Sequence, residues 1–254
     1  MALIGSKTKL AELLSFRTRR DLALLCGAVG LVLAGGAVLG AGMPVWGGTL
    51  MFLGSIAVPV GLKWWDDFTR LGAAACVLSA LLLLQGFHFV EHGTQMVQYY
   101  LLNLPPAQSQ GLISALNVEW VHFIWNVIVL ICTVFLLRRG MRGFWGWALL
   151  VWTTAHTLEH LYLLVRYLEI SSELARLGLP AYSVAQVLPG VLGRDGWLAE
   201  SGICGQIPGL TTLPRVAIHF GWNLGETLLL VAAAHRNLTR LMYHFPARED
   251  KRYA

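Results

Sequence analysis

Long apolar segments separated by short polar turns make up most of the chain. Backbone groups inside lipid must be hydrogen-bonded within a helix or a closed barrel, and these segments have the length of spanning helices. They predict an all-α integral membrane protein with six transmembrane helices. The six segments lie at about 22–42, 46–62, 71–100, 117–137, 143–168 and 213–235.

The second segment gives the weakest signal. It is short and contains Pro59, which removes a helical hydrogen bond. Trp46, Trp64 and Trp65 flank it and suit the interfacial positions at which tryptophan is enriched. A tilted or re-entrant helix is the alternative to a full span here.

The composition excludes a soluble single domain. Hydrophobic residues make up 56% of the 254 residues and charged residues only 13%, against roughly a quarter charged in ordinary soluble proteins. The net charge of +5 does not indicate nucleic-acid binding, because the cations stand between the apolar segments rather than in one patch. We expect contact with the lipid bilayer and none with nucleic acid.

The distribution of the cations predicts the orientation in the membrane. Fifteen of the 19 Lys and Arg residues lie in the N-terminal arm, in the turns after the second and fourth segments, and in the tail. The loop at 101–116 has none, and the loop at 170–212 has only Arg176 and Arg194. The positive-inside rule therefore places both termini in the cytoplasm and these two loops outside.

Cysteines and glycines add two narrower expectations. The four cysteines show neither CxxC nor CxxCH spacing, which speaks against a thiolate zinc site, a covalent c-type haem and a disulfide framework. The first segment carries six glycines between Gly27 and Gly42. Glycines let helices approach closely in lipid, so this segment is expected to pack within the chain or against a partner membrane subunit.

A short pattern of ligand-type residues occurs twice. The third segment reads HFVEH at 88–92 and the fifth reads HTLEH at 156–160. The fourth reads HFIWN at 122–126 and the sixth reads HFGWN at 219–223. Two consecutive hairpins of the same topology are expected to be related by an axis along the membrane normal. Helices 3–4 and 5–6 are therefore predicted to form a parallel internal repeat around a four-helix core.

This organisation predicts five parts of the chain. A basic cytoplasmic arm and a basic cytoplasmic tail enclose a peripheral pair of helices and two repeat hairpins, the second of which includes an outer loop at 170–212. The parts are the arm at 1–20, the pair at 21–66, the hairpins at 67–142 and 143–235, and the tail at 236–254.

The repeated residues predict a metal site in the outer half of the bilayer. A glutamate inside a membrane costs about 2.5 to 3.5 kcal/mol unless it is paired or faces a polar cavity, yet one stands beside paired histidines in each copy. Positions i, i+3 and i+4 share a helix face, so each HxxEH unit presents its three side chains together. The eight predicted ligands are His88, Glu91, His92, His122, His156, Glu159, His160 and His219.

Eight ligands exceed the usual shell of one first-row ion, so the sequence predicts two transition-metal ions. Iron and copper suit the histidine-rich set best, with zinc as an alternative. Neighbouring residues are expected to support the ligands from an outer shell. These are Asn126, Asn223, Glu119, Glu226, Trp125 and Trp222.

The ligand chemistry favours a redox-active enzyme, a metal-dependent oxidoreductase acting on a quinol, another lipophilic substrate or dioxygen. Two alternatives stay open. Paired histidines in an apolar bundle can ligate b-type haem, as in an electron-transfer subunit of a larger membrane complex, although haem does not explain the two glutamates. The other alternative is a metal-binding or transport accessory subunit without catalysis.

Overall fold

The computed structural model describes residues 6–179, 188–202 and 207–243. Parts of the predicted basic arm, outer loop and basic tail therefore lie outside the described residues. Every regular element in the described ranges is helical, and these ranges contain no strand. The prediction of an all-α protein is confirmed.

The helices follow the apolar segments. Short 3-10 turns occur at Arg17–Arg19, Pro106–Gln108 and Ser114–Leu116. The α-helices are α1 Ser6–Leu14, α2 Arg20–Ala41, α3 Val45–Leu71, α4 Ala73–Tyr100, α5 Glu119–Arg138, α6 Phe144–Arg176, α7 Trp197–Glu200 and α8 Arg215–Tyr243.

Five helical stretches are long and apolar enough to cross a membrane, which indicates a multi-pass membrane protein. Large apolar side chains on α2 agree with this, because Val32 and Leu39 are 74% and 89% exposed. The five stretches are Leu10–Ala41, Val45–Leu71, Ala73–Tyr100, Glu119–Arg138 and Arg215–Leu241.

The predicted fifth segment lies in α6, which is not among those five stretches. This helix has 33 residues, or about 50 Å at a rise of about 1.5 Å per residue. Trp, Thr, His and Glu residues interrupt the apolar part of this helix. The sixth span, the parallel repeat and the four-helix core therefore stay predictions.

The helix α3 is longer than the second apolar segment. It runs through Pro59 as one helix of 27 residues, rather than as a re-entrant pair. The predicted segment stops before Lys63 because that residue is charged, but the helix buries Lys63 in polar contacts. Its Nζ donates to Asp67 Oδ2 at 2.5 Å and to Oγ of Ser79 on α4 at 2.7 Å.

The chain divides into two compact units. The first contains the residues up to Gln85, the stretch Cys132–Leu149 and the residues from Leu228 onward. Within it, α2 approaches α3 closely, because a Cβ at Gly30 would overlap the side chain of Ser55.

Other glycines of α2 make no such approach. A Cβ at Gly27, Gly35, Gly36 or Gly40 would meet nothing within 4 Å. The expected packing within the chain is thus seen at Gly30, while a partner subunit against the remaining glycines stays a prediction.

The second unit contains Gly86–Ile131 and Leu150–Thr227. All eight predicted ligands and all six predicted outer-shell residues belong to it. Histidines, glutamates and asparagines are buried in this unit, although its helices carry apolar side chains on their exposed faces. Buried ionisable groups of this kind in a membrane protein make this unit the candidate for a functional site.

Candidate metal centre

Three histidines from α4 and α5 form a group that we call the first triad. His88 and His92 are four residues apart on one face of α4, and His122 of α5 completes the group. One ligand nitrogen of each lies within 4.8 Å of the others. Metal–nitrogen distances are about 2.0 to 2.1 Å, so the side chains would have to rotate to bring these nitrogens to one ion.

Three histidines from α6 and α8 form the second triad. His156 and His160 repeat the four-residue spacing on α6, and His219 of α8 completes the group. Their ligand nitrogens also lie within 4.8 Å of one another. The two copies of the sequence pattern therefore build two triads of the same composition.

The two triads adjoin within the second unit. The ring centroids of His92 and His219 are 4.2 Å apart, and those of His122 and His219 are 5.1 Å apart. His122 and His160 stack at 5.5 Å with an interplanar angle of 9°. All six predicted histidines are thus brought into one cluster.

Within each triad, two histidines direct the same ring atom at each other. Nε2 of His219 lies 2.9 Å from Nε2 of His160, and Nε2 of His92 lies 3.2 Å from Nε2 of His88. In such a contact one nitrogen donates its proton and the other accepts. Deprotonated Nε2 atoms at the same place would serve as metal ligands.

The other ring nitrogen of two first-triad histidines is engaged outward. Nδ1 of His92 lies 2.7 Å from Oε1 of Gln95, and Nδ1 of His122 lies 3.0 Å from the backbone oxygen of Val118. Both oxygens only accept, so each Nδ1 carries the proton. This tautomer leaves Nε2 with a lone pair for a metal, as second-shell partners of metal-bound histidines do.

In the second triad, the oxygen atoms that lie beside the Nδ1 atoms belong to carboxylates. Nδ1 of His156 lies 2.6 Å from Oε2 of Glu226, and Nδ1 of His160 lies 3.5 Å from Oε2 of Glu119. Both glutamates are buried, at 1% and 0% exposure. The structure therefore places two predicted outer-shell residues beside histidines of this triad. Glu226 is hydrogen-bonded to His156, whereas Nδ1 of His160 and both oxygens of Glu119 have no hydrogen-bond partner among the described residues.

His156 shows why this cluster suits a cation. Its Nε2 is buried and has no hydrogen-bond partner among the described residues. A buried polar atom without a partner costs about 1 to 3 kcal/mol. A metal ion bound by the second triad would satisfy this nitrogen, so the donor set fits an ion.

Glu91 lies beside the first triad, but its carboxylate turns to the loop after α4. It accepts backbone hydrogen bonds from Leu112 at 2.8 Å and from Ile113 at 2.9 Å. Neither triad includes this carboxylate. Its role as a ligand stays a prediction, while its role in holding the loop is visible.

Glu159, the corresponding residue of the second copy, also accepts a hydrogen bond from the backbone of a loop. Both of its oxygens lie 3.2 Å from the backbone nitrogen of Val191, and Nη1 of Arg215 donates to Oε1 at 3.0 Å. Both glutamates of the HxxEH units thus accept backbone hydrogen bonds from a loop, and Glu159 is in addition paired with Arg215 of α8.

Two glycines, whose role is not among the sequence-based predictions, leave room for these glutamate–loop contacts. A Cβ at Gly111 would overlap Oε1 of Glu91, and a Cβ at Gly190 would overlap Oε1 of Glu159. Gly111 also has a φ of +78°, which favours glycine. The sequence contains a signal for these glycines. A glycine followed by two aliphatic residues precedes each HFxWN unit, at 111–113 and at 190–192.

The asparagines and tryptophans of the HFxWN units pack around the histidines. Nδ2 of Asn126 donates to the backbone oxygen of His122 at 2.9 Å, and Nδ2 of Asn223 donates to that of His219 at 3.0 Å. These amides support the helices that carry the ligands.

The two tryptophans differ in their contacts. Trp222 stacks on His156 at 5.4 Å and 6°, whereas Trp125 is tilted by 49° against His88 at 5.7 Å. The second triad is therefore covered by a parallel indole, and the first is not.

The chain matches no protein-family profile, no curated protein and no solved structure. Its function has to follow from the chemistry of these side chains.

Proposed function

We propose that this chain is an integral membrane metalloprotein whose two histidine triads hold two transition-metal ions. The observation that carries the proposal is the meeting of two three-histidine groups, each with ligand nitrogens within 4.8 Å. With both termini in the cytoplasm, these ions would lie in the outer half of the bilayer.

The charge of the second unit supports the binding of cations. Four glutamates are buried there, Glu91, Glu119, Glu159 and Glu226, and the buried cationic side chain described beside them is Arg215. Buried charge without a counter-ion is strongly unfavourable. Two divalent ions would supply the positive charge that balances these carboxylates, which neutral imidazoles cannot supply.

The ligand set that the geometry favours is six imidazoles. The carboxylates of Glu91 and Glu159 are occupied by loop backbone, and Glu119 and Glu226 lie behind His160 and His156. Imidazole ligands suit copper, iron and zinc.

The packing of the rings supports ions over b-type haem. A porphyrin between two axial histidines needs a flat slot as wide as the macrocycle. Ring centroids 4.2 Å apart at His92 and His219, and 4.7 Å apart at His160 and His219, leave no such slot inside the cluster.

We extend the proposal to an oxidoreductase of a lipophilic substrate. A pair of copper or iron ions would supply one-electron redox chemistry when bound. The chain itself would exclude water, since His92, His156 and His160 are fully buried, and would hold the ligands through Gln95, Glu119 and Glu226.

Metal analysis combined with an absorption spectrum of the purified protein tests the proposal. We expect two metal equivalents and no Soret band. His88→Ala and His156→Ala should each lower the metal content by at least one equivalent. His235→Ala is the matched control, because this histidine of α8 lies outside both triads, and its metal content should equal that of the wild type.

Three results would overturn parts of the proposal. A Soret band with sharp visible bands would establish haem. Unchanged metal content in both triad variants would make the cluster structural. Two bound zinc ions, with no redox-active metal taken up on reconstitution, would exclude the oxidoreductase and favour an accessory role.

A further inference from the structure

A cavity of about 160 Å³ lies against the first triad. His88 and His122 line it, and Trp125 and Phe87 supply aromatic surface. Leu116 also lines the cavity and is 44% exposed, so the cavity reaches the protein surface. A space of roughly 150 Å³ accommodates a single benzene ring.

Asn117 adds a buried side-chain amide to the lining of this cavity. Its side chain is 4% exposed and lines the cavity. Neither the amide nitrogen nor the amide oxygen has a hydrogen-bond partner among the described residues. Burying an amide in this way is unfavourable, so a molecule in the cavity that donates or accepts a hydrogen bond would relieve the loss.

The second copy of the repeat does not reproduce this feature. Asn117 precedes His122 by five residues, and the residue five before His219 is Pro214, which has no polar side chain. In addition, His156 is fully buried under Trp222, whereas its counterpart His88 is partly exposed. The duplicated centre is thus accessible at one triad and closed at the other.

We propose that this cavity is the substrate site of the centre and binds a small uncharged aromatic molecule with a hydroxyl group, of the phenol or quinol class. The ring would pack between Trp125 and Phe87, the hydroxyl would bind the amide of Asn117, and the ring edge would face His88 and His122. The assignment as a substrate site rests on the proposed metal centre, whereas the binding itself does not.

Phenol and benzene are the matched probes, because they share the ring and differ by the hydroxyl. Each is titrated calorimetrically into the full-length protein in lipid nanodiscs. Partition into lipid is the same for every variant, so the difference between variants reports the protein site. The metal content of every sample is measured in parallel.

Asn117→Leu replaces the amide by an apolar group of similar shape. We expect the variant to bind phenol about tenfold more weakly, the loss of one buried hydrogen bond, and to bind benzene at least as well as the wild type. Asn237→Leu is the control, because Asn237 is also 4% exposed but belongs to the first unit. It should leave phenol binding unchanged.

Val121→Phe provides a second variant, since Val121 lines the cavity and a larger side chain would fill it. Both probes should then lose their binding while the metal content is retained. Phenol binding that is insensitive to Asn117→Leu, or that survives Val121→Phe, would overturn the proposed pocket. If the wild type contains no metal as purified and takes up none on reconstitution, phenol binding that depends on Asn117 would overturn the substrate assignment and leave a ligand pocket alone.

Discussion

Oε2 of Glu119 on α5 lies 3.5 Å from Nδ1 of His160 on α6, so the helix that completes the first triad also places a carboxylate beside a histidine of the second, although no hydrogen bond joins the two. Glu226 supports the second triad from α8 at 2.6 Å from His156. The second triad therefore has carboxylates from two helices beside it, and that of Glu226 is hydrogen-bonded to a ring nitrogen, whereas His92 and His122 of the first triad are hydrogen-bonded to neutral oxygens.

This arrangement predicts that loss of Glu226 lowers the affinity of the second triad for its ion and leaves the affinity of the first triad unchanged. Glu226→Gln keeps the shape of the side chain but removes its charge. Outer-shell substitutions of this kind lower metal affinity about 10- to 100-fold, and we expect this loss at the second triad only. Competition with a chromogenic chelator measures both affinities.

The control for this change is Glu169→Gln, since Glu169 is 55% exposed and pairs with Arg166 at the surface. Equal weakening of both ions by Glu226→Gln, or no weakening of either, would contradict the assignment of Glu226 to the second triad.

The loop contact of Glu91 predicts a stability difference between two glycine variants. Gly111 and Gly209 have nearly the same φ, +78° and +79°, but only at Gly111 would a Cβ overlap a carboxylate. Both alanine variants carry the backbone strain of about 1 kcal/mol, while Gly111→Ala must also displace Glu91. We expect a clearly lower Tm for Gly111→Ala than for Gly209→Ala in a thermal unfolding series, and equal Tm values would refute the contact.

The buried pair of Arg215 and Glu159 predicts a large effect of removing one partner. Arg215→Met leaves a carboxylate that is 3% exposed without its cation, which costs about 3 to 5 kcal/mol. This corresponds to a fall in Tm of about 6 to 20 °C for a chain of this size. Arg166→Met, in an exposed pair, should change stability by about 0 to 1 kcal/mol.

A double variant separates charge from packing in this pair. Adding Glu159→Gln to Arg215→Met removes the unpaired charge, so part of the lost stability should return. No recovery in the thermal unfolding of the double variant would mean that Arg215 acts through packing alone.

The orientation of the chain can be tested by cysteine labelling in intact cells. With both termini in the cytoplasm and α6 spanning the membrane, Ser201 lies outside and Arg139 lies inside. In a background whose four native cysteines, among them Cys204 of the same predicted outer loop, are replaced by serine, a membrane-impermeant maleimide should label Ser201→Cys but not Arg139→Cys unless the cells are permeabilised. If Ser201→Cys is labelled only after permeabilisation, either the orientation or the span of α6 is wrong.

The histidine cluster could be predicted from the sequence because its geometry is local. Four-residue spacing fixes which side chains share a helix face, and duplication of HxxEH and HFxWN gave the partner helices. The contacts of Glu91 could not be predicted in this way. Its carboxylate binds the backbone of Leu112, 21 residues further on, and the chain path of a loop is not encoded in helical spacing.

The ends of α3 and the hydropathy of α6 show a second limit. An apolar segment was expected to stop before Lys63, but pairing with Asp67 and Ser79 lets the helix continue. Conversely, the histidines and the glutamate that α6 contributes to the candidate metal centre lower the mean hydropathy of this helix. Polar contacts formed in the folded chain, which composition does not show, can therefore extend a helix beyond an apolar segment.

The unequal burial of the two triads has a kinetic consequence. His156, His160 and His219 are at most 1% exposed, so an ion held by them is shielded from the surface and would leave only after the surrounding side chains move. An ion held by the first triad can leave past the partly exposed His88. A soluble chelator should therefore strip the protein in two phases, a fast one for the first ion and a slow one that is limited by opening of the fold.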